Sequence, residues 1–307
     1  MLINGVKIDD TFAEAFNMRS TRVIITAQNL KWAYHAANAM TGFATSVIGC
    51  GVEAGIEREL NTEETPDGRP GLSILMFAMG SKVLMQQLET RMGQCILTCP
   101  TAAAFAGIES EDRINLGKNL RFFGDGYQTS KLFSNANSVT KRYWRIPVMD
   151  GEFLCEESTG MVRAIGGGNF LILATSQVAA LAAAEAAIEA MKLIPNVIMP
   201  FPGGVVRSGS KVGSKYKTMF ASTNDAFCPT LKGVTNTELS PEIESVMEIV
   251  IDGLNFEDIA ESMRVGIQAI CDLGETSGVK RISAGNYGGK LGPHHFKLHE
   301  IMGKQAS

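Results

Sequence analysis

The stretch Gly168-Asn-Phe-Leu-Ile-Leu-Ala174 decides the fold class, because its apolar run is typical of a strand and a helical segment follows it closely. Val178 to Leu193 is rich in alanine, the strongest helix former, and Val197-Ile-Met-Pro200 is a short return strand. A strand, a helix and a strand in this order predict a β-α-β unit.

The same order of elements recurs on both sides of this unit. Downstream, Glu244 to Asp252 predicts a strand, Asn255 to Asp272 an amphipathic helix and Val279 to Ser283 a closing strand. Upstream, the corresponding segments are a strand at Thr21 to Thr26, a helix at Asn29 to Met40, and a C-capping glycine followed by a strand in Thr41-Gly-Phe-Ala-Thr-Ser-Val-Ile48. Repeated β-α-β units predict an α+β protein whose helices cover one face of small mixed sheets.

The length of 307 residues exceeds that of a usual single core, so two lobes of about 150 residues are expected. Asp125 to Ser138 is polar and glycine-bearing, which predicts an irregular segment, and Tyr143-Trp-Arg-Ile-Pro-Val148 then resumes a strand. We place the boundary near residue 148, which gives an N-terminal lobe at 1–148 and a C-terminal lobe at 149–307.

Composition excludes several classes of protein. The 28 Lys and Arg residues are balanced by 32 Asp and Glu residues, and a formal net charge of −4 argues against a general attraction to nucleic acid. The first ten residues lack the pattern of a signal peptide, and polar residues interrupt the most apolar stretch, Phe170 to Met191, so no membrane association is expected. Six cysteines without a C-x-x-C pair predict reduced thiols and a cytoplasmic protein.

The densest glycine-rich segment is Ser283-Ala-Gly-Asn-Tyr-Gly-Gly-Lys-Leu-Gly292. It brings backbone N–H groups, an amide and a cation together, a combination that suits an anionic or carbonyl-bearing ligand. Its glycine spacing, like that around Ser210 to Lys215, does not fit a phosphate-binding loop or a dinucleotide fingerprint. Lysines in such loops are accessible to ligands, so we expect at least one of Lys211, Lys215 and Lys290 to contact a substrate anion.

Three histidines near the end of the chain, His294, His295 and His299, are candidates for a metal site. In a strand, His295 and His299 would share a face with Lys297, whose charge repels a cation. A metal normally needs three or four converging ligands, so a solvated or interface strand is the favoured interpretation and no metal is expected.

Glu248 interrupts the apolar run Val246-Met-Glu-Ile-Val-Ile251. Alternation places it on the face of Val246 and Val250, where burial would raise its pKa and keep the acid neutral at pH 7, able to donate a proton or a hydrogen bond. The alternation is equally consistent with an exposed face. Glu185 and Glu189, one helical turn apart among alanines, instead predict the solvated stripe of a helix.

Further segments share this glycine- and proline-rich character, and in their order along the chain they resemble those of formylmethanofuran:tetrahydromethanopterin formyltransferases. The resemblance covers essentially the whole chain. It is carried by Ile3-Asn-Gly-Val6, Asp10-Thr-Phe-Ala-Glu-Ala-Phe16, Thr41 to Ile48, Glu53-Ala-Gly-Ile-Glu57, Glu64-Thr-Pro-Asp-Gly-Arg-Pro-Gly71, Phe122-Phe-Gly-Asp-Gly126, Gly167-Gly-Asn-Phe170, Phe201-Pro-Gly-Gly204, Ser210-Lys-Val-Gly-Ser-Lys215, Ala221-Ser-Thr-Asn-Asp225 and Ser283 to Gly292.

The resemblance implies two ferredoxin-like α/β sandwich lobes in a homodimer or homotetramer, with the active site in a cleft at the subunit interface. It implies direct transfer of a formyl group between the amine of methanofuran and a ring nitrogen of tetrahydromethanopterin, or analogues of these co-substrates, without a permanently bound cofactor. Glu248 lies in the family's Val-x-Glu-x-Val-Ile strand, at the glutamate beside the formyl group. This implies a protonated acid that donates to the oxyanion or to the leaving amine.

Within the matching motifs we assign substrate binding to one set of polar residues. These are Asn169, Ser210, Lys211, Lys215, Thr223, Asn224, Asp225, Asn286 and Lys290. The balanced charge differs from the acidic composition of methanogen members and resembles the version found in methylotrophic bacteria, which implies a formyltransferase/hydrolase complex. Two alternatives stay open, a non-catalytic structural subunit of such a complex and a hydrolase that releases formate itself.

Overall fold

The computed structural model describes residues 1–134 and 140–303, and these form two compact units. The C-lobe comprises Met1–Asn17 and the chain from Ile165 onward, and the N-lobe comprises Met18–Ala164. The first residues belong to the C-lobe because Lys7 pairs with Arg281 in a parallel ladder and the strand that begins at Phe12 pairs with Lys297. This grouping differs from the division expected near residue 148, since a sequence pattern does not show which partner an N-terminal strand selects.

The strands in chain order are β1 Leu2–Ile3, β2 Val6–Ile8, β3 Phe12–Thr26, β4 Thr45–Ser46, β5 Val52–Leu60, β6 Gly71–Ala78, β7 Ala103–Ala106, β8 Arg113–Asn115, β9 Thr129–Ser134, β10 Thr140–Val148, β11 Gly151–Glu156, β12 Ser158–Gly160, β13 Val162–Ala174, β14 Val197–Ile198, β15 Ser210–Val212, β16 Ala221–Thr223, β17 Ser245–Gly253, β18 Val279–Ser283 and β19 His294–Lys297. The α-helices are α1 Leu30–Thr41, α2 Val47–Cys50, α3 Ser81–Arg91, α4 Gln177–Met191, α5 Phe256–Asp272 and α6 Leu298–Gly303.

The C-lobe is built on the unit β13-α4-β14-β17-α5-β18. Its strands lie in the spatial order β18-β13-β17-β14, and each neighbouring pair is antiparallel. This is the ferredoxin-like arrangement, in which two β-α-β units interlock. The two long helices cover one face of the sheet, where Phe170, Ile249 and several alanines of α4 are fully buried.

Local sequence fixes where these helices begin and how closely they pack. The side chains of Ser176 and Asn255 each accept a hydrogen bond from the backbone N–H three residues on, at 3.2 and 2.8 Å, and so cap α4 and α5. A Cβ atom at Gly266 of α5 would lie 2.6 Å from the sulfur of Met191. Glycine at this position therefore permits the close contact between the two helices.

The N-lobe repeats the topology with β3-α1-β5-β6-α3-β7, in the spatial order β7-β3-β6-β5 and with antiparallel neighbours. β11, β10 and β9 lengthen this sheet beyond β7. Its core includes the fully buried Met40, Ile74 and Leu88. The prediction of an α+β protein with two ferredoxin-like lobes is therefore confirmed.

Three local predictions differ from the structure. Gly42 does cap α1, but the strand after it is only β4, because the chain turns into the short helix α2. The segment expected to be irregular contains β9, which pairs with β10, while residues 135–138 of it lie outside the described part of the chain. The terminal histidine strand ends at Lys297, so His299 lies on α6.

The six cysteines are unpaired thiols, of which Cys155 and Cys271 are buried in the two cores. Among the described residues, no helix has both the length and the apolar character needed to cross a bilayer.

Candidate active site

Glu248 lies on β17, on the face of the C-lobe sheet opposite to the helices. Its neighbours Met247 and Ile249 are buried in the helix-covered core, whereas Val246, Glu248 and Val250 are half-buried on the other face. The backbone of Val206 exchanges two hydrogen bonds with that of Glu248, at 2.7 and 2.8 Å. The predicted alternation is therefore present, and the Glu248 face is partly covered.

The carboxyl group of Glu248 makes no side-chain hydrogen bond or ion pair with any residue in 1–134 or 140–303. A Cβ atom at Gly209 would lie 3.0 Å from its Oε2, so the absence of a side chain there leaves room for the acid. Burial raises the pKa of Glu248 to about 7. Near neutral pH this acid can therefore both give and take a proton.

Tyr287 is the residue beside Glu248 that the sequence interpretation missed. Burial and the charge of Glu248 raise the pKa of its phenol, while the neighbouring side chain of Ser210 acts in the opposite direction. Its ring lies 6.1 Å from that of Phe16. The only signal in the sequence was an aromatic residue inside a glycine-rich loop. The phenol stays protonated at neutral pH and can donate a hydrogen bond.

A carboxylate of the chain itself occupies four N–H groups of the glycine-rich loop, which the sequence did not predict. The oxygens of Glu14, a residue of β3 that is 1% exposed, accept hydrogen bonds from the N–H groups of Tyr287, Gly289, Leu291 and Gly292 at 2.6–2.8 Å. Burial works against ionisation, but these four bonds outweigh it and lower the pKa of Glu14 to about 2. The anion that the loop suits is thus internal.

Two of the predicted binding amides brace the same loop. Asn169 accepts a hydrogen bond from the N–H of Gly285 at 2.6 Å and donates to the carbonyl oxygens of Gly167 and Gly285. Asn286 is exposed, donates to the carbonyl oxygen of Phe12 at 3.1 Å and accepts from the N–H of Gly288. Both amides hold the loop against the body of the C-lobe.

The hairpin β15-β16 brings several other predicted binding residues together next to Gly209. Ser210 pairs with Thr223, and the N–H of Asn224 donates to the carbonyl oxygen of Gly209 at 2.9 Å. The ammonium group of Lys211 lies 2.6 Å from the carboxylate of Asp225. These residues therefore form one cluster at the base of the hairpin, near Glu248.

Lys215 and Lys290 differ from Lys211 in their surroundings. Both are exposed, and neither has an ion-pair partner within the described ranges 1–134 and 140–303. Lys215 lies in the turn beyond β15, and Lys290 lies in the glycine-rich loop. Their charges are available to an anionic ligand, whereas that of Lys211 is compensated.

Asn224 and Asn286 also line a polar cavity of about 730 Å³ in the C-lobe, together with the backbone of Ser283 to Gly285. Its lining carries charges of both signs, and among these Arg281 donates to the carboxylate of Asp9 at 2.6 Å. A ligand in this cavity would therefore meet polar groups and charges of both signs and not a surface of one charge.

The histidines do not converge. His294 contacts the side chain of Asn17, while the ring of His295 lies against Phe12 with centroids 4.7 Å apart. His299 contacts the carbonyl oxygen of Ile8. Within the described part of the chain, no group of three or more His, Cys, Asp or Glu residues is arranged to hold a metal ion.

The helix α4 exposes Glu185 and Glu189, as predicted for a solvated stripe. Glu189 forms an ion pair with Lys192, three residues further on, at 2.6 Å. These carboxylates are a surface feature of the helix.

Known protein families match both halves of the chain. Residues 1–148 match the family model of formylmethanofuran-tetrahydromethanopterin formyltransferase, and residues 151–301 match the model of the FTR proximal lobe. The chain belongs to this formyltransferase family.

Individual members of the formyltransferase family are similar over nearly the whole chain. The formylmethanofuran–tetrahydromethanopterin formyltransferase of Methylobacillus flagellatus is 78% identical over 306 residues, which cover 98% of this chain and 100% of the relative. The crystal structure of the formyltransferase/hydrolase complex from Methylorubrum extorquens with methylofuran contains a chain that is 54% identical, with a TM-score of 0.96 and 98% of each chain covered. The Methanosarcina barkeri formyltransferase structure is 48% identical, with a TM-score of 0.91, and covers 98% of this chain and 100% of that one.

Proposed function

We propose that this chain transfers a formyl group between the amine of methanofuran, or an analogue, and a ring nitrogen of tetrahydromethanopterin, or a dephospho analogue, with Glu248 as its acid. Membership of the formyltransferase family makes the chain a transferase. The observation that supports the role of Glu248 is a half-buried carboxyl group with no side-chain partner in residues 1–134 and 140–303 and a pKa raised to about 7 by burial.

Transfer between two nitrogens requires a tetrahedral intermediate. The acceptor nitrogen attacks the formyl carbon, the carbonyl becomes an oxyanion, and the bond to the donor nitrogen then breaks. Neutral Glu248 donates its proton to the leaving nitrogen, and the carboxylate that results takes the proton that the attacking nitrogen loses. One residue with a pKa near 7 can thus serve both proton transfers without a net change in its own state.

The co-substrates carry anionic tails in this interpretation, and the exposed lysines suit them. Lys215 and Lys290 are candidates because their charges are uncompensated among the described residues, whereas Lys211 is held by Asp225. Asn224 and Asn286 would meet polar parts of a coenzyme in the cavity that they line. Ser210 and Thr223 would contact the reacting end beside Glu248.

We also propose transfer without a permanently bound cofactor, so that activity survives prolonged dialysis against a chelator. A homodimer or homotetramer, association with hydrolase subunits as in the Methylorubrum extorquens complex, and a cytoplasmic location complete the proposal. Loss of all activity after chelation, restored by zinc or iron, would contradict the cofactor-free mechanism.

The deciding experiment incubates the purified protein with formyl-tetrahydromethanopterin and methanofuran and separates formyl-methanofuran from free formate. Formation of formyl-methanofuran in proportion to enzyme concentration is the expected result. Formate as the only product would favour a hydrolase. No turnover by the folded protein, alone or with its hydrolase partners, would favour a non-catalytic structural subunit.

A further inference from the structure

We propose that Glu14 is a positioning residue, whose buried carboxylate folds the loop Tyr287 to Gly292 and thereby fixes Tyr287, which packs near Phe16, in its position relative to Glu248. This inference rests on the proposed function and adds to it two residues that a search for loop lysines and amides does not find.

The hydrogen bonds of Glu14 account for most of the loop. Oε2 accepts from the N–H groups of Tyr287 and Gly289 at 2.7 and 2.8 Å, and Oε1 accepts from those of Leu291 and Gly292 at 2.6 and 2.7 Å. Four of the six N–H groups between residues 287 and 292 therefore point at one carboxylate. Hydrogen bonds to a charged acceptor are about twice as strong as neutral ones, so this arrangement orders the backbone.

The loop also packs closely on the strand that carries Glu14. Gly289 has a φ of +71°, and a Cβ atom at Gly292 would lie 2.3 Å from the carbonyl oxygen of Ala15, the residue next to Glu14. The loop is thus pressed against β3 on the strand segment that carries Glu14. Because the first of the four bonds goes to the N–H of Tyr287 itself, the carboxylate fixes the backbone from which the phenol projects.

The consequence for the reaction concerns the state of Glu248 after it has donated its proton. The carboxylate that forms would be buried without a side-chain partner, which is unfavourable unless a donor is close. In this proposal the protonated phenol of Tyr287, whose pKa responds to Glu248, turns towards the new carboxylate to supply that donor and keeps its own proton throughout. Since the carboxylate exists only after proton transfer, loss of the phenol should lower kcat more than it raises KM.

The first test is Glu14→Gln in the full-length protein, in its native assembly. A carboxamide keeps the shape but offers one acceptor oxygen, and its NH2 group faces two N–H donors. We expect kcat to fall about tenfold with little change in KM, and the amides of residues 287–292 to exchange hydrogen faster with solvent. Amide exchange that is unchanged within this loop would overturn the inference, whatever the activity.

The second test distinguishes positioning from a general loss of stability. Tyr287→Phe removes the hydroxyl and leaves the Glu14 contacts in place, so kcat should fall about tenfold without faster exchange in the loop. The double variant should be about as slow as the slower single variant, because both changes remove the contribution of the Tyr287 phenol, one by displacing it and the other by deleting it. Losses of kcat that multiply in the double variant would show that Glu14 does not act through Tyr287.

A matched control and a fallback variant complete the design. Asp258→Asn alters another C-lobe carboxylate, which accepts hydrogen bonds from Asn196 and Asn255 at the start of α5. This variant should leave kcat unchanged. Combined with Tyr287→Phe, it should give the same kcat as Tyr287→Phe alone. If Glu14→Gln does not accumulate as folded protein, Glu14→Asp keeps the charge with a shorter reach and should show the same changes in smaller measure. The proposal would be rejected if Glu14→Asp had unchanged kcat and unchanged hydrogen exchange in the loop while Tyr287→Phe was fully active. If the parent protein itself did not transfer formyl groups, the proposed function would be rejected instead.

Discussion

The two lobes share one strand order, yet a carboxylate on a sheet strand has opposite surroundings in each. In the N-lobe, Glu57 on β5 accepts two hydrogen bonds from the guanidinium group of Arg22, both at 2.7 Å, and one from the hydroxyl of Ser73 at 2.6 Å. In the C-lobe, Glu248 on β17 has no side-chain partner among residues 1–134 and 140–303. The fold accommodates a buried acid in either lobe, and the neighbouring side chains decide whether it is paired.

If Glu248 has the role proposed above, the difference separates a structural charge from a reactive one. Glu57 is compensated by a fork-shaped donor and is held in one position. Glu248 is desolvated without compensation, which lowers the stability of the lobe at pH values where the acid ionises, and such unfavourable groups persist mostly where function needs them. The first lobe therefore serves as an internal control for the second.

The largest effect is expected from breaking the compensated pair. Arg22→Met leaves Glu57, with a side chain only 4% exposed, without its bidentate cation, and removal of one partner of a buried pair costs about 3 kcal/mol or more. Chemical denaturation at neutral pH measures this loss. A change below about 1 kcal/mol would mean that the pair is effectively solvated and that the contrast between the lobes is weak.

The next effect concerns the uncompensated acid. Glu248→Gln should lower kcat roughly a hundredfold or more with little change in either KM, because the acid acts on charge and protons that appear only during the reaction. Steady-state kinetics with both co-substrates gives the answer. Glu248→Ala should be at least as damaging, since it also removes the shape of the side chain. Near-normal turnover of the Gln variant would return Glu248 to an ordinary surface role.

A smaller effect, with a defined sign, is expected on stability. The pKa of Glu248 in the folded chain is about 7, above its ordinary value of 4.5. Between these two pH values the folded state keeps a proton that the unfolded chain releases. Stability conferred by the parent residue therefore falls as the pH rises from about 4.5 to 7. As the pH rises from 5 to 8, the free energy of unfolding of Glu248→Gln should increase by about 2 kcal/mol relative to that of the parent protein, a value reduced for the partial exposure of the group. A difference that does not vary with pH would show that the acid has an ordinary pKa.

Sequence patterns predicted the fold better than the site, for a physical reason. Period-2 alternation around Glu248 and the alanine content of α4 are local properties, and both the strand face and the exposed stripe were predicted from them. The occupant of the glycine-rich loop was not predictable in this way, because Glu14 lies more than 270 residues from the N–H groups that it binds. The loop composition suggested an anionic or carbonyl-bearing ligand and did not indicate that the chain supplies a carboxylate of its own.

The same limit explains the grouping of the first residues and the part played by the predicted amides. Pairing of β2 with β18 and of β3 with β19 depends on contacts between opposite ends of the chain. Asn169 and Asn286 were selected as ligands because amides suit polar coenzymes, and the structure gives both of them hydrogen bonds that brace the loop. Their predicted role in binding is still to be tested, and the contacts show that their substitution would also loosen the loop.

The smallest effect is expected at Glu185, a glutamate that lies outside both of the sites compared above. Glu185→Gln changes an exposed carboxylate on α4, in the same lobe as Glu248 and with the same change of chemistry, so it is an exposed counterpart of the Glu248→Gln variant. Because this side chain is exposed on the surface of the helix, its substitution should alter kcat by less than about twofold and the free energy of unfolding by less than about 0.5 kcal/mol. Parallel kinetics and denaturation of the two variants measure the contrast directly. If Glu185→Gln lost activity while Glu248→Gln kept near-normal turnover, the assignment of roles to the two glutamates would have to be exchanged.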